Sequence, residues 1–136
     1  DEEFDHIACL GALLYFDDPQ VAVREMFRVL KPGGKLLLRT VNKNNAYTRR
    51  TGKKLDPASR NLYSMNELES LLTTNKFAIL DKWAFGYWPP ILTNFWWYLV
   101  NVWLPDQAQE FMSDKTPPDS RVVNVIVARK PHAVAA

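Results

Sequence analysis

Apolar and polar positions along residues 4–42 change period twice, and each change marks an element. Phe4-Asp5-His6-Ile7-Ala8-Cys9-Leu10 is a short, largely apolar run of the kind a buried parallel strand needs, and Gly11 ends it. Asp18-Pro19 starts a helix, because an aspartate caps free amides and proline suits the first helical position. Ala22, Met26, Val29 and Leu30 then recur on one helical face, Val23 and Phe27 widen the stripe, and Arg24, Glu25 and Arg28 lie away from its centre. Lys31-Pro32-Gly33-Gly34 predicts a stop and a turn, since proline disfavours helical geometry before it and glycine allows positive φ. The run Lys35–Val41 resumes as a strand. Strand, helix and strand with short joins predict a right-handed βαβ unit of a parallel sheet.

Residues 42–64 are polar, basic and rich in turn formers, which predicts a long loop of the binding or disordered kind. Ser64-Met65-Asn66-Glu67 is a capping box, and it opens a helix to about Asn75 with Leu68, Leu71 and Leu72 on one face. Residues Phe77–Phe85 and Arg121–Arg129 read as two further strands, and Lys130–Ala136 reads as a disordered tail. Between those strands lies an uncharged apolar stretch, Ile91–Leu104, framed by Pro90 and Pro105. Four of the five tryptophans fall between Trp88 and Trp103. As a helix the stretch spans about 21 Å at 1.5 Å per residue, short of a bilayer core of roughly 30 Å. Its flanks lack a basic face, so core or an apolar lid over a substrate ranks ahead of a membrane-interface helix or a partner surface.

The chain has 136 residues, one domain's worth, and a net charge of +2 that gives no reason to expect a nucleic-acid partner. Charge is unevenly spread, however: Lys43, Arg49, Arg50, Lys53, Lys54 and Arg60 cluster in the 42–64 loop, either as a solvated face or as a site for an acidic group. The single cysteine, Cys9, excludes an intrachain disulfide and suits a reducing compartment. No grouping of Cys, His and carboxylates has metal-ligand spacing, so no metal is expected. His6 sits in the first strand as an outward or packing residue and His132 lies in the tail.

The run FDHIACLGALLYFDDP…REMFRVLKPGGKLLLRTVN resembles the second half of the class I S-adenosylmethionine-dependent methyltransferases. That family shows an F-D-x-I strand, an LH-x-x-D-P-like stretch and an R-x-L-K-P-G-G-x-L turn. Their counterparts are Phe4-Asp5 and Ile7, Leu14-Tyr15 through Asp18-Pro19, and Arg28 through Leu36. The S-x-x-E-L-x-x-L-L…F signal at residues 64–77 fits the same pattern. The resemblance implies an α/β, Rossmann-like methyltransferase sheet, here partial and mixed, whose last strand runs antiparallel beside the Pro-Gly-Gly strand. It enters at what would be the family's fourth strand, and no G-x-G-x-x-G loop occurs. Residues 1–130 are therefore expected to be the C-terminal half of a methyltransferase domain, with 87–105 as a Trp-rich insertion and 131–136 as a tail. The first strand's open edge is expected to invite a dimer or strand exchange.

What the resemblance implies about chemistry is a methyl transfer from S-adenosylmethionine to a small, hydrophobic or lipid-like acceptor, as part of a longer parent protein. The matching cofactor positions are Cys9, Leu10 and Gly11. Tyr15 stands where many members carry a histidine, which removes an obvious base. Tyr15, Tyr47, Trp88, Phe95 and Trp96 are the aromatic residues expected to face the acceptor, and no catalytic residue is assigned. Cys9 is read as a buried structural thiol and Gly33-Gly34 as turn residues. A noncatalytic module binding a partner or membrane surface through the Trp-rich segment is the alternative. The expected location is cytoplasmic, with membrane association left open.

Overall fold

A computed structural model describes residues 2–87, 103 and 105–132. In chain order the elements are β1 (Phe4–Leu10), a 3-10 turn (Ala12–Tyr15), α1 (Pro19–Val29), β2 (Leu30–Val41), α2 (Ala46–Thr51) and α3 (Met65–Thr74). Then come β3 (Ala78–Phe85), α4 (Asp106–Lys115), a 3-10 turn (Pro118–Ser120) and β4 (Val123–Arg129). The strands form one sheet in the order β1-β2-β4-β3. β1 and β2 run parallel, and β4 runs antiparallel between β2 and β3. The mixed α/β sheet and its inserted antiparallel last strand are as expected.

Helix signals read from sequence act as the chemistry requires. The Asp18 carboxylate accepts from the amides of Gln20 and Val21 at 2.9 and 3.1 Å, and Pro19 opens α1. Ser64 and Glu67 close the capping box reciprocally at the head of α3. α1 and α3 lie against one face of the sheet. Cys9, Leu36, Leu38, Ile126 and Ala128 from the strands meet Val23, Leu30, Leu68, Leu72 and Phe77 there in a core at 0–5% exposure. Phe27 packs edge-on to Phe77, with ring centroids 5.1 Å apart.

Four expectations are corrected. Lys31-Pro32-Gly33-Gly34 is not a turn outside the strand, because β2 begins at Leu30. The Gly33 amide donates to Lys130 O and the Lys130 amide to Gly34 O, so β2's partner draws both glycines into the ladder. Gly34 must be a glycine, since an added Cβ would lie 2.8 Å from Lys31 O and 3.0 Å from Asp5 O. Second, β1 lies at the edge of the sheet, as its expected open edge required, but it is not buried along its length: Phe4 and Leu10 are more than half exposed. Third, residues 42–64 are not loop throughout: Asn45 caps α2 and Gly52 closes it in the left-handed region. Lys130, expected in a loose tail, is 8% exposed, donates to Leu30 O at 2.8 Å and lies 4.9 Å from the Phe27 ring centre. Most of the Trp-rich stretch, including Trp88, Phe95 and Trp96, lies outside the described residues, as do residues 133–136. Among the described residues no helix is long and apolar enough to cross a membrane.

Candidate functional site

Both parallel strands end on one rim of the sheet, at Leu10 and Val41, where ligands of open α/β sheets bind. Antiparallel pairing brings the start of β4 at Val123 and the end of β3 at Phe85 to the same rim. Two long connections, 42–64 and 86–122, leave from it. Asn42 ties them together: its side-chain amide donates to Asp119 O and Arg121 O at 3.0 and 2.9 Å, and its carbonyl accepts from the Asn44 amide at 3.0 Å. At 2% exposure, this asparagine is a buried polar group fully occupied in holding loops.

Of the expected cofactor positions, Gly11 and Leu10 lie at the rim. Gly11 has φ +83°, its amide donates to Arg39 O at 2.9 Å, and a Cβ built on it would meet nothing within 4 Å. Open space at a positive-φ strand end lets a ligand approach the backbone closely. Leu10 is 57% exposed on the side of the sheet away from the core. Cys9 points the opposite way into the core at 5% exposure, and burial raises its thiol pKa, so it is a neutral packing group. Any ligand contact at Cys9 is confined to its backbone.

Tyr15 leaves the turn that follows Gly11, and its hydroxyl donates to the Asp56 carboxylate, 41 residues on. That bond raises the tyrosine pKa and lowers the aspartate's, so the phenol keeps its proton. The same loop is pinned by the amides of Arg60 and Asn61, which donate to Leu14 O at 2.8 and 3.0 Å, and by the Arg60–Asp17 ion pair. Tyr47 lines a groove with Lys53, Lys54, Leu55 and Pro57, the last two flanking Asp56 in sequence. The basic cluster is dispersed. Lys43 pairs with Glu67, Arg49 donates to Ser120 Oγ at 3.2 Å and Lys54 donates to Ser59 O.

Sequence reasoning missed the second half of the rim. On the face away from α1 and α3, sheet register sets Leu10, Arg39, Val125 and Trp83 in one row, with Val41, Val123 and Phe85 in the next. A cavity of about 820 Å³ opens there between β3 and α4, with Arg39, Trp83, Phe85, Tyr87 and Ser113 among its walls. The Arg39 guanidinium lies 5.7 Å from the Phe85 ring centre. Ser113 Oγ accepts from the Gly86 amide at 2.9 Å. Alternation of Trp83 and Phe85 at period two in a strand was the available signal. It needed a register to become a wall.

This fold is the one found in solved S-adenosylmethionine-dependent methyltransferases. Residues 1–38 match the family model described as a methyltransferase domain. In sequence, the chain is 42% identical over 43 residues to a ubiquinone biosynthesis O-methyltransferase of Pseudomonas fluorescens and to one of Pseudomonas putida, covering 32% of this chain and 18% of each relative. In structure, a possible histamine N-methyltransferase from Thermotoga maritima has a TM-score of 0.64 at 20% identity, covering 96% of this chain and 57% of that one. The (4+2)-cyclase SpnF has a TM-score of 0.63 at 24% identity, covering 98% and 53%. The chain thus spans between half and two thirds of such structures, and the expected resemblance holds, in sequence over the first βαβ unit and in fold over nearly the whole chain.

Proposed function

We propose that this chain forms the acceptor-side half of a methyltransferase site that uses S-adenosylmethionine and acts on a small, largely apolar molecule. The observation that carries this reading is the sheet order β1-β2-β4-β3 with a half-buried, positive-φ Gly11 at the end of β1, open on its Cβ side, in the segment that matches the methyltransferase model. The residues present fit one end of that cofactor. Leu10 and the Gly11 backbone would border it, and when bound it supplies an electrophilic methyl group. The remaining work of this chain is placement in a site kept poor in water, which is where much of the rate of such a displacement arises.

Two further features support the reading. The loop 52–61 is anchored over the turn after Gly11 by Leu14 O and by the Tyr15–Asp56 bond, so it walls the rim. The relatives' printed activity, O-methyl transfer in ubiquinone biosynthesis, favours an oxygen acceptor. With its proton held toward Asp56, Tyr15 orients a neighbouring group and does not act as a base. Among the described residues β1 bonds to β2 on one side only, which supports completion of the sheet by a further strand, from a longer parent chain or a second copy. Because a cyclase shares the fold, the activity must rest on cofactor binding and not on architecture.

The test is calorimetric titration of S-adenosylhomocysteine into this chain and into a longer parent protein. Binding by the parent with at least tenfold loss on Gly11→Val is expected. A parent that binds no cofactor would remove the methyl-transfer reading.

A further inference from the structure

The cavity between β3 and α4 has a charge pattern that general apolar packing does not require. Three aromatic side chains, Trp83, Phe85 and Tyr87, line it. Facing them, Asp106, Glu110 and Asp114 recur at every fourth position of α4, all lining the same space. The two cations there are engaged differently. Arg121 donates to the carbonyls of Ala84, Thr116 and Asp114 at 2.8, 3.1 and 3.3 Å, with the Asp114 carboxylate 3.9 Å away. Arg39 lies over Phe85. Asp106 and Glu110 form no ion pair among the described residues, so two carboxylates face the cavity uncompensated except by Arg39.

A second observation points the same way. Tyr87 is 8% exposed, and its hydroxyl is buried with no hydrogen-bond partner among the described residues. An orphaned buried hydroxyl is a cost that a partner would remove. The cavity thus offers acceptor atoms in excess, the carboxylates of Asp106 and Glu110, beside aromatic faces that attract cations, with the Tyr87 hydroxyl buried in its wall. Its volume falls within the range of roughly 300–1,000 Å³ of small-ligand sites.

We propose that this cavity binds an organic ammonium ligand, a positively charged nitrogen carried on an apolar or aromatic body. The inference rests on the reading that this rim faces the methyl acceptor, and it names the class of that acceptor. The charged nitrogen is the handle by which the molecule is held, and its apolar body lies along Trp83 and Phe85 toward the Leu10–Gly11 end of the rim. An acidic aromatic ligand would instead place its carboxylate against Asp106 and Glu110.

Phenethylamine and 3-phenylpropionate share a ring and differ in the sign of charge, so titrating each into the full chain, followed by nuclear magnetic resonance, tests the proposal. Saturable binding of phenethylamine at least about tenfold tighter than 3-phenylpropionate is expected, weakening as salt screens the charges. Asp106→Asn with Glu110→Gln should lower amine affinity about tenfold. Arg39→Gln should raise it, a gain that a merely damaged fold would not produce. Equal or tighter binding of 3-phenylpropionate, no saturable amine binding to the folded chain, or an Arg39→Gln variant that loses affinity would each overturn the proposal. Amine binding by a protein that takes no S-adenosylhomocysteine would leave the site standing and remove the methyl-transfer reading; the reverse result would remove only the site.

Discussion

The two faces of the sheet are built from alternate residues of the same strands, yet they have opposite fates. On one, Cys9, Leu38 and Ile126 lie in a single row and are 0–5% exposed beneath α1 and α3. On the other, one residue along each strand, Leu10, Arg39, Val125 and Trp83 form the next row, in which Val125 at the centre is 4% exposed but Leu10 and Trp83 at the ends are 57% and 43% exposed. Strand geometry alone puts neighbours on opposite sides. What differs is the partner: two amphipathic helices close the first face, while the second carries a guanidinium and aromatic rings beside a cavity. Stability therefore concentrates on the helix-covered face and ligand chemistry on the other.

Cutting the closed face should have the largest effect. Leu38→Ala removes a fully buried side chain from a packed core and is expected to cost about 2–5 kcal/mol in denaturant unfolding. Next comes the seam between β1 and β2. Gly34→Ala would press a methyl group against two backbone carbonyls that cannot yield independently, at a cost of about 1–3 kcal/mol. Ser64→Ala opens the capping box that holds α3 over the closed face, and should lower stability by about 0.5–2 kcal/mol in the same measurement. On the open face, Trp83→Leu should change stability by only about 0.5 kcal/mol while weakening phenethylamine binding. If it destabilised the chain as much as Leu38→Ala does, the two faces would be equally closed and the contrast would fail.

The smallest effect expected is electrostatic. The Lys43 ammonium, first, and the Ser64 amide hold the Glu67 carboxyl below its ordinary 4.5. Folding thus favours the ionised form. This contribution is complete above the unfolded value and fades as pH falls below it, through the lowered folded value. Glu67→Gln should lower the neutral plateau by the pair's contribution and flatten the acid limb below about pH 4.5, leaving stability at the acid end unchanged. An unchanged acid limb would show that the exposed pair is screened into insignificance.

Local signals that need only a few neighbouring residues were legible. The span of β1 and the two helix caps followed from short-range rules, because apolar runs, Asp18-Pro19 and Ser64…Glu67 act within a turn or two of themselves. Signals for α2 and α4 were equally local, an asparagine before Ala46 with Gly52 after Thr51, and Pro105 before Asp106, but polar composition masked them. The Tyr15–Asp56 bond was not legible at all, since it spans 41 residues and depends on where a loop lands. Of the expected site, the rim positions Leu10 and Gly11 stand where the strand end puts them, while Cys9 faces inward because alternation from Leu10 demands it.

By itself, then, the sequence determined the βαβ unit, the capped helix that follows it and the methyltransferase pattern of the first segment, since these arise from chain-local periodicity and capping. The methyltransferase pattern implied an antiparallel last strand beside β2, but only the tertiary structure decided the register in which β4 pairs with β2 and β3, and so which side of each strand is buried. That pairing draws Lys31–Gly34 into a strand and sets Arg39 in register with Trp83, with Phe85 one row on. A row of side chains across a sheet belongs to no one strand, and register is settled by which face finds a helix to cover it.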